Sequence, residues 1–211
     1  MSNDGRNYKV GQKRLDNLDK IFEAAELEFA QFGFKGTSMV SIARRAGIPR
    51  PNVHYYYKNK QALYNALLMR LLDLWNSAIQ QMSAEDNPAR ALGGYIHAKV
   101  MLSKTYPLAS KIFANEIIQG APNLKTYLSG EFRDWLNGKA RVIQQWIDEG
   151  KMDAVDPLHL IFLIWSSTQH YADFSTQVTA VMGKKALSDE DFEAVAQSLT
   201  HIILKGCGLT S

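Results

Sequence analysis

Apolar residues recur at three- and four-residue spacing through most of this chain, and no stretch alternates with the two-residue rhythm of a half-buried strand. The pattern predicts a long amphipathic helix over 60–82, with Leu63, Leu67, Leu71, Leu74 and Ile79 on its buried side. Asn87 and Pro88 open another helix to about residue 105. Pro107 starts one over 106–119, which Gly120, Ala121 and Pro122 stop. A helix over 123–149 ends at Gly150, with Gly130 and Gly138 as weak points inside it. Asp156 and Pro157 begin a strongly apolar helix to about Phe174, and Ser188 caps a last one that stops at Gly206. The fold class is all-α, without internal repeats or low-complexity segments.

The stretch 37–63 has a finer grain. Thr37 or Ser38 supplies an N-cap oxygen for a short helix whose Met39, Ile42, Ala43 and Ala46 share a face. Gly47 lets the chain reverse, and Ile48 is expected to be buried where two helices meet. Pro49 and Pro51 fall in the first turn of the next helix, where a missing N–H costs little. Val53 and Tyr57, four apart, face inward, which leaves Arg50, Asn52, His54, Tyr55 and Tyr56 outside. Arg50 and Asn52 can form bidentate bonds to base edges, while tyrosine hydroxyls and imidazole suit phosphate oxygens. Lys60 opens the following helix, where its charge and the helix N-terminus can hold a phosphate together. The layout is that of a helix-turn-helix that reads double-stranded DNA.

Charge supports this by its distribution. The formal net charge is only +3, but no Asp or Glu occurs from Phe29 to Leu72, a span holding Lys35, Arg44, Arg45, Arg50, Lys58, Lys60 and Arg70. Residues 1–60 carry eleven Lys and Arg against six Asp and Glu, a formal +5; the remainder carries thirteen against fifteen, a formal −2. One positive end on a near-neutral protein is a footprint for a polyanion. The first fifteen residues lack periodicity and carry Arg6, Lys9, Lys13 and Arg14 against Asp4 alone. They are expected to form a flexible basic arm able to follow phosphates or enter a minor groove.

Catalytic chemistry finds no foothold. His201 and Cys207 lie six apart, roughly opposite around a helix, and the five histidines show no HxxxH spacing. His170 and Asp173 share a helical face three apart, a spacing that suits a local hydrogen bond. No glycine-rich phosphate loop is present, so neither an enzyme nor a cofactor or metal site is expected. There is no signal-peptide pattern and no apolar run of eighteen residues, and Cys207 is the single cysteine. A cytoplasmic protein without membrane association or an internal disulfide is expected.

The run F-x-x-F-G-F-x-G-T from Phe29 to Thr37, I-A-x-x-A-G-I from Ile42 to Ile48, and N-V-H-Y-Y-Y-x-N-K-x-A-L from Asn52 to Leu63 resemble the N-terminal domain of TetR-family transcriptional regulators. The resemblance implies a three-helix DNA-binding domain, a long connecting helix and a helical ligand-binding and dimerisation domain, about nine helices in all. The boundaries it suggests are a basic arm over 1–15, a DNA-binding domain over 16–60 and the second domain over 61–211. By position, Thr37 and Ser38 join Arg50, Pro51, Asn52, His54, Tyr55 and Tyr56 as DNA-contacting residues, and Lys60 takes the phosphate-clamp place. Tyr57 stands where the family more often has phenylalanine, and His54 where it usually has tyrosine. The homodimer so implied would bind a near-palindromic operator.

The segment 156–178, with 71–79 and 106–122, resembles the branch of that family that regulates pyrimidine utilisation and responds to uracil or thymine. A small planar pyrimidine requires stacking and paired amide-like hydrogen bonds, which Trp75, Trp165 and Gln169 can supply. The pocket is expected to be lined by Trp75, Phe113, Glu116, Trp165, Gln169 and Tyr171. The alternative is a DNA-binding structural or division-linked protein of the same fold without an effector, which would show a filled core around Trp165 and Gln169.

Overall fold

Ser38 and Gly47 set the two ends of the first short helix after the N-terminal one. Ser38 accepts from the Ser41 N–H at 3.0 Å, and its own N–H donates to the Ser41 hydroxyl at 3.1 Å, so two helix-end donors are satisfied reciprocally. Gly47, at φ 65°, takes the left-handed conformation that turns the chain toward the next helix.

The computed structural model describes the backbone of residues 4–210, with side chains from Arg14 onward. Eleven helices follow one another among them: α1 (Asp4–Gly36), α2 (Met39–Ala46), α3 (Arg50–Tyr56), α4 (Lys60–Gln80), α5 (Pro88–Thr105), α6 (Pro107–Ile118), α7 (Lys125–Ser129), α8 (Glu131–Asp148), α9 (Pro157–Asp173), α10 (Ser175–Val181) and α11 (Asp189–Gly206). There is no strand among the described residues. The count exceeds the expected nine because the helix expected over 123–149 is broken and a further short helix follows the one expected to end near Phe174. Gly130 separates α7 from α8, whereas Gly138 lies unbroken inside α8. Phe174 ends α9, and a further seven residues form α10.

The expected irregular arm also differs. Residues 4–15 belong to α1, because a helix nucleated on a packed segment extends at the cost of one residue per hydrogen bond. Met1, Ser2 and Asn3 lie outside the described residues, as do the side chains of Arg6, Lys9 and Lys13 to which a phosphate or minor-groove role was assigned.

The chain divides into two compact units, 1–71 and 72–211. In the first, α1 packs on α2 and α2 on α3 around Ile21, Phe29, Ile42 and Val53. The first turns of α4 belong to this core: the Tyr64 ring lies 4.8 Å from Phe29 and 4.9 Å from Phe34. At Gly33 (φ 66°, ψ 179°), a conformation essentially restricted to glycine, α1 bends before its last turn.

In the second unit α5 packs between α9 and α11, and α6 and α8 flank α9. Leu92, Ile96, Ile143, Trp146, Ile161 and Ile164 form the centre of its core. Trp146 is fully buried, and its indole N–H donates to the Ala84 carbonyl at 3.0 Å, as a buried indole requires.

Candidate nucleic-acid interface and ligand cavity

The helix α3 buries one residue, Val53, and is otherwise open. Arg50, Pro51, Asn52 and Tyr55 are exposed, with Tyr55 78% accessible. His54 and Tyr56 are half-buried along the edge. The Arg50 Nε donates to His54 Nε2 at 3.4 Å, His54 Nδ1 lies 3.3 Å from the Lys58 carbonyl, and the Tyr55 and Tyr56 rings meet edge-on at 5.3 Å. The surface is a short rigid helix carrying a guanidinium, an amide, an imidazole and phenols, with no acidic group from Phe29 to Leu72. Such a helix can place side chains against base edges and phosphates together.

Two residues assigned to this surface are engaged elsewhere. Thr37 is buried, and its hydroxyl donates to the carbonyls of Gly33 at 2.8 Å and Glu28 at 3.0 Å, closing the bend in α1. Ser38 alone is the cap and remains exposed. Lys60 is half-buried, and its ammonium donates to the carbonyls of Phe34 at 2.6 Å and Thr37 at 2.8 Å while lying 4.5 Å from the Phe34 ring centroid. Two of its three N–H donors are thus spent on tying α4 to the end of α1, which leaves one for a phosphate. Glu28, buried beneath α2, receives Arg45 at 2.6 Å. Burial pushes the Glu28 carboxyl up, but bonds from Arg45 and Ser41 and the charges of Arg45 and Arg44 outweigh it and hold the carboxyl below the ordinary range.

Tyr57 faces inward and meets Phe22 edge-on at 5.7 Å. Burial raises its phenol, and the charge of Arg70 opposes that rise.

A cavity of about 310 Å³ lies inside the second unit. Trp75, Phe113, Trp165 and Gln169 all line it, so four of the six residues assigned from sequence come together. Trp75 meets Phe113 edge-on at 4.8 Å. Trp165 is fixed by its indole N–H, which donates to the Tyr95 hydroxyl at 2.5 Å. Gln169 makes no hydrogen bond to the described residues, so both its N–H and C=O functions are open to a guest.

The other two assigned residues are not in the lining. Glu116 is buried and accepts from the Asn123 backbone N–H at 2.6 Å and side-chain amide at 3.0 Å, pinning the turn after α6. Tyr171 packs beside Val100, Val195 and Ala196. It lies two residues beyond Gln169, about 200° around a helix, so the two cannot face one cavity.

Several lining residues escaped the sequence reading, among them Tyr95, Asn76, Phe132, Trp135 and Lys99. For Lys99 there was a signal: it continues the stripe Leu92, Tyr95, Ile96, which places a charge on a core-facing position. Burial lowers its ammonium to about 8, against the pull of the Asp173 carboxylate. Asp173 is raised by burial, opposed by the Ser110 hydroxyl, which it accepts at 2.5 Å, and by the charges of Lys99, His170 and Lys111. Burial likewise pushes the Tyr95 phenol well above its usual value, and the bond from Trp165 opposes it.

A helix-turn-helix unit joined to a helical unit with its own cavity has the architecture of a one-component bacterial regulator. Residues 21–67 match the model of bacterial regulatory proteins of the tetR family, and residues 68–210 match the C-terminal region of YcdC-like proteins. The chain belongs to the TetR family of transcriptional regulators and is not an enzyme. It is 40% identical over 186 residues to the HTH-type transcriptional regulator RutR of Escherichia coli K12, covering 88% of each protein. It is 25% identical over 191 residues to the biofilm operon icaADBC negative transcriptional regulator IcaR of Staphylococcus aureus, covering 89% of this chain and 98% of that one. Solved structures share the fold. KstR2, the ketosteroid transcriptional regulator of Mycobacterium tuberculosis, has a TM-score of 0.67 at 18% identity, over 90% of this chain and 93% of that one. AibR, in complex with isovaleryl coenzyme A and operator DNA, has a TM-score of 0.67 at 17% identity, over 88% and 97%. Among the described residues no helix is long and apolar enough to cross a membrane, and no group of three or more potential metal ligands occurs.

Proposed function

We propose that this protein is a ligand-responsive repressor that binds a near-palindromic operator as a homodimer and releases it when a small planar molecule, such as uracil or thymine, occupies the cavity of the second unit. The observation that carries the reading is the aromatic cavity itself, with Trp75 and Trp165 in its wall and a Gln169 amide that has no hydrogen-bond partner among the described residues. A flat imide ring has faces to stack on indoles and an edge of alternating donors and acceptors for an amide. The likeness to RutR in E. coli favours a pyrimidine. A cavity at the position where an effector-free protein would be filled counts against the structural or division-linked alternative.

Homodimerisation is supported by the apolar residues that α9 and α11 leave exposed, Phe162 at 47%, Leu163 at 52% and Ile202 at 62%. Two copies would present two α3 helices to successive major grooves, with half-site centres about 34 Å or a simple multiple apart. Trp75 and Lys60 are carried by the same helix, α4, which makes it the element through which occupancy of the cavity reaches the DNA-binding unit. Only a ligand that binds the two arrangements differently can shift the balance between them.

Calorimetric titration of uracil and thymine into the wild type, Trp75→Ala and Gln169→Leu tests the reading. Heat of binding to the wild type, weakened by both substitutions, is expected; absence of heat with either pyrimidine rejects the pyrimidine assignment.

A further inference from the structure

Among the described residues, the cavity wall contains one charged side chain, Lys99. It is only 3% exposed and, among the described residues, has neither a hydrogen-bond partner nor a carboxylate within ion-pair distance. Its ammonium lies 5.0 Å from the Trp75 ring centroid, a contact that compensates part of the lost hydration. Asp173 is the carboxylate whose charge it feels, but that group accepts the Ser110 hydroxyl and does not line the cavity. An ammonium with three donors and no acceptor, held between aromatic walls, is costly unless a guest completes it. A neutral carbonyl would satisfy a donor and leave the charge; an anionic oxygen satisfies both and forms the stronger bond.

We propose that Lys99 anchors a negatively charged oxygen of the effector, so that a planar ring bearing a carboxylate, stacked against Trp75 with its amide-like edge toward Gln169, is a better guest than the neutral pyrimidine. The inference rests on the cavity being the effector site, as proposed above. Its ammonium, at about 8, is predominantly charged at neutral pH and ready for such a partner. The position also explains why α5 keeps a lysine in its apolar stripe, where an uncharged side chain of equal length would pack without the desolvation of a charge.

Calorimetry with uracil, uracil-6-carboxylate and benzoate on the wild type, Lys99→Met and Gln169→Leu separates the possibilities, with melting curves confirming that each variant folds. Uracil-6-carboxylate is expected to bind at least about tenfold more tightly than uracil, the worth of one charge-assisted bond. Lys99→Met is expected to erase that advantage while leaving uracil within about threefold of its wild-type affinity, the loss being confined to the charged group. Uracil binding as tightly as its carboxylate, or an unchanged carboxylate affinity in Lys99→Met, overturns the inference. If uracil binds, weakens in Gln169→Leu and the carboxylate is excluded, the site stands and the role of Lys99 falls. If none of the three binds the wild type, both are wrong.

Discussion

Trp165 of α9 donates its indole N–H to the hydroxyl of Tyr95 on α5 at 2.5 Å, and both rings line the same cavity. The bond gives a half-buried indole its partner and sets the angle at which its face meets a guest. Tyr95→Phe removes the acceptor and is expected to lower the unfolding free energy by about 1 kcal/mol. Denaturant titration followed by tryptophan fluorescence measures this; an unchanged midpoint shows that the bond carries no net stability.

Arg50→Ala and Tyr55→Ala remove exposed side chains of α3 without touching Val53 beneath them. Each is expected to weaken operator binding by about 1–3 kcal/mol with an unaltered melting temperature. Fluorescence anisotropy with labelled operator, selected from genomic DNA, checks this.

Thr37→Val and Lys60→Met should behave in the opposite way. Each removes two hydrogen bonds to carbonyls at the bend and end of α1. Losses of about 1–3 kcal/mol in stability are expected, with DNA affinity following the folded fraction. A melt and an operator titration on the same preparation distinguish lost fold from lost contact.

The Glu28–Arg45 pair makes the first unit sensitive to acid. The Glu28 carboxyl is held below its ordinary value, so its stabilisation is complete above the unfolded carboxylate pKa of about 4.3 and is lost as pH falls through the lower folded value. Glu28→Gln is expected to destabilise by about 1 kcal/mol at neutral pH, Arg45 being open to solvent on one side. The gap to the wild type should narrow in melting curves taken below pH 4.3 or so, as the wild-type carboxyl also becomes neutral. A gap that stays constant with pH would place the cost in packing instead.

Glu116→Ala and Tyr171→Phe lie outside the cavity and are expected to leave effector affinity unchanged. Glu116→Ala should cost about 1–3 kcal/mol in stability, because the turn after α6 loses the acceptor of two Asn123 donors. Calorimetry and denaturation on both variants test the lining directly.

Much of the fold was legible because its signals are local. Ser38, Gly47 and the prolines around α3 act within a few residues of themselves, and the resemblance across 29–63 added the domain plan. The second unit was legible in its long helices but not at Gly130, where nothing in sequence distinguishes a glycine that breaks a helix from Gly138, which does not. The cavity was half legible. Trp75, Trp165 and Gln169 are types that stand out in an apolar helix, whereas Glu116 and Tyr171 were assigned by type although their faces point elsewhere. Lys99 was passed over because a lysine on a helix ordinarily faces water, and only its register with Leu92, Tyr95 and Ile96 says otherwise. The ties that Thr37 and Lys60 make were hidden for a tertiary reason: their partners at Glu28, Gly33 and Phe34 come together only when α1 bends.

The coupling between cavity and DNA is tested most directly by anisotropy titration of labelled operator with the wild-type protein, alone and with uracil at a concentration that calorimetry shows to be saturating. Operator affinity is expected to fall at least about tenfold when the cavity is filled, a coupling of about 1.4 kcal/mol, and to show no such response in Trp75→Ala. Identical titration curves with and without saturating uracil would contradict the account of this protein as a switch operated by that ligand.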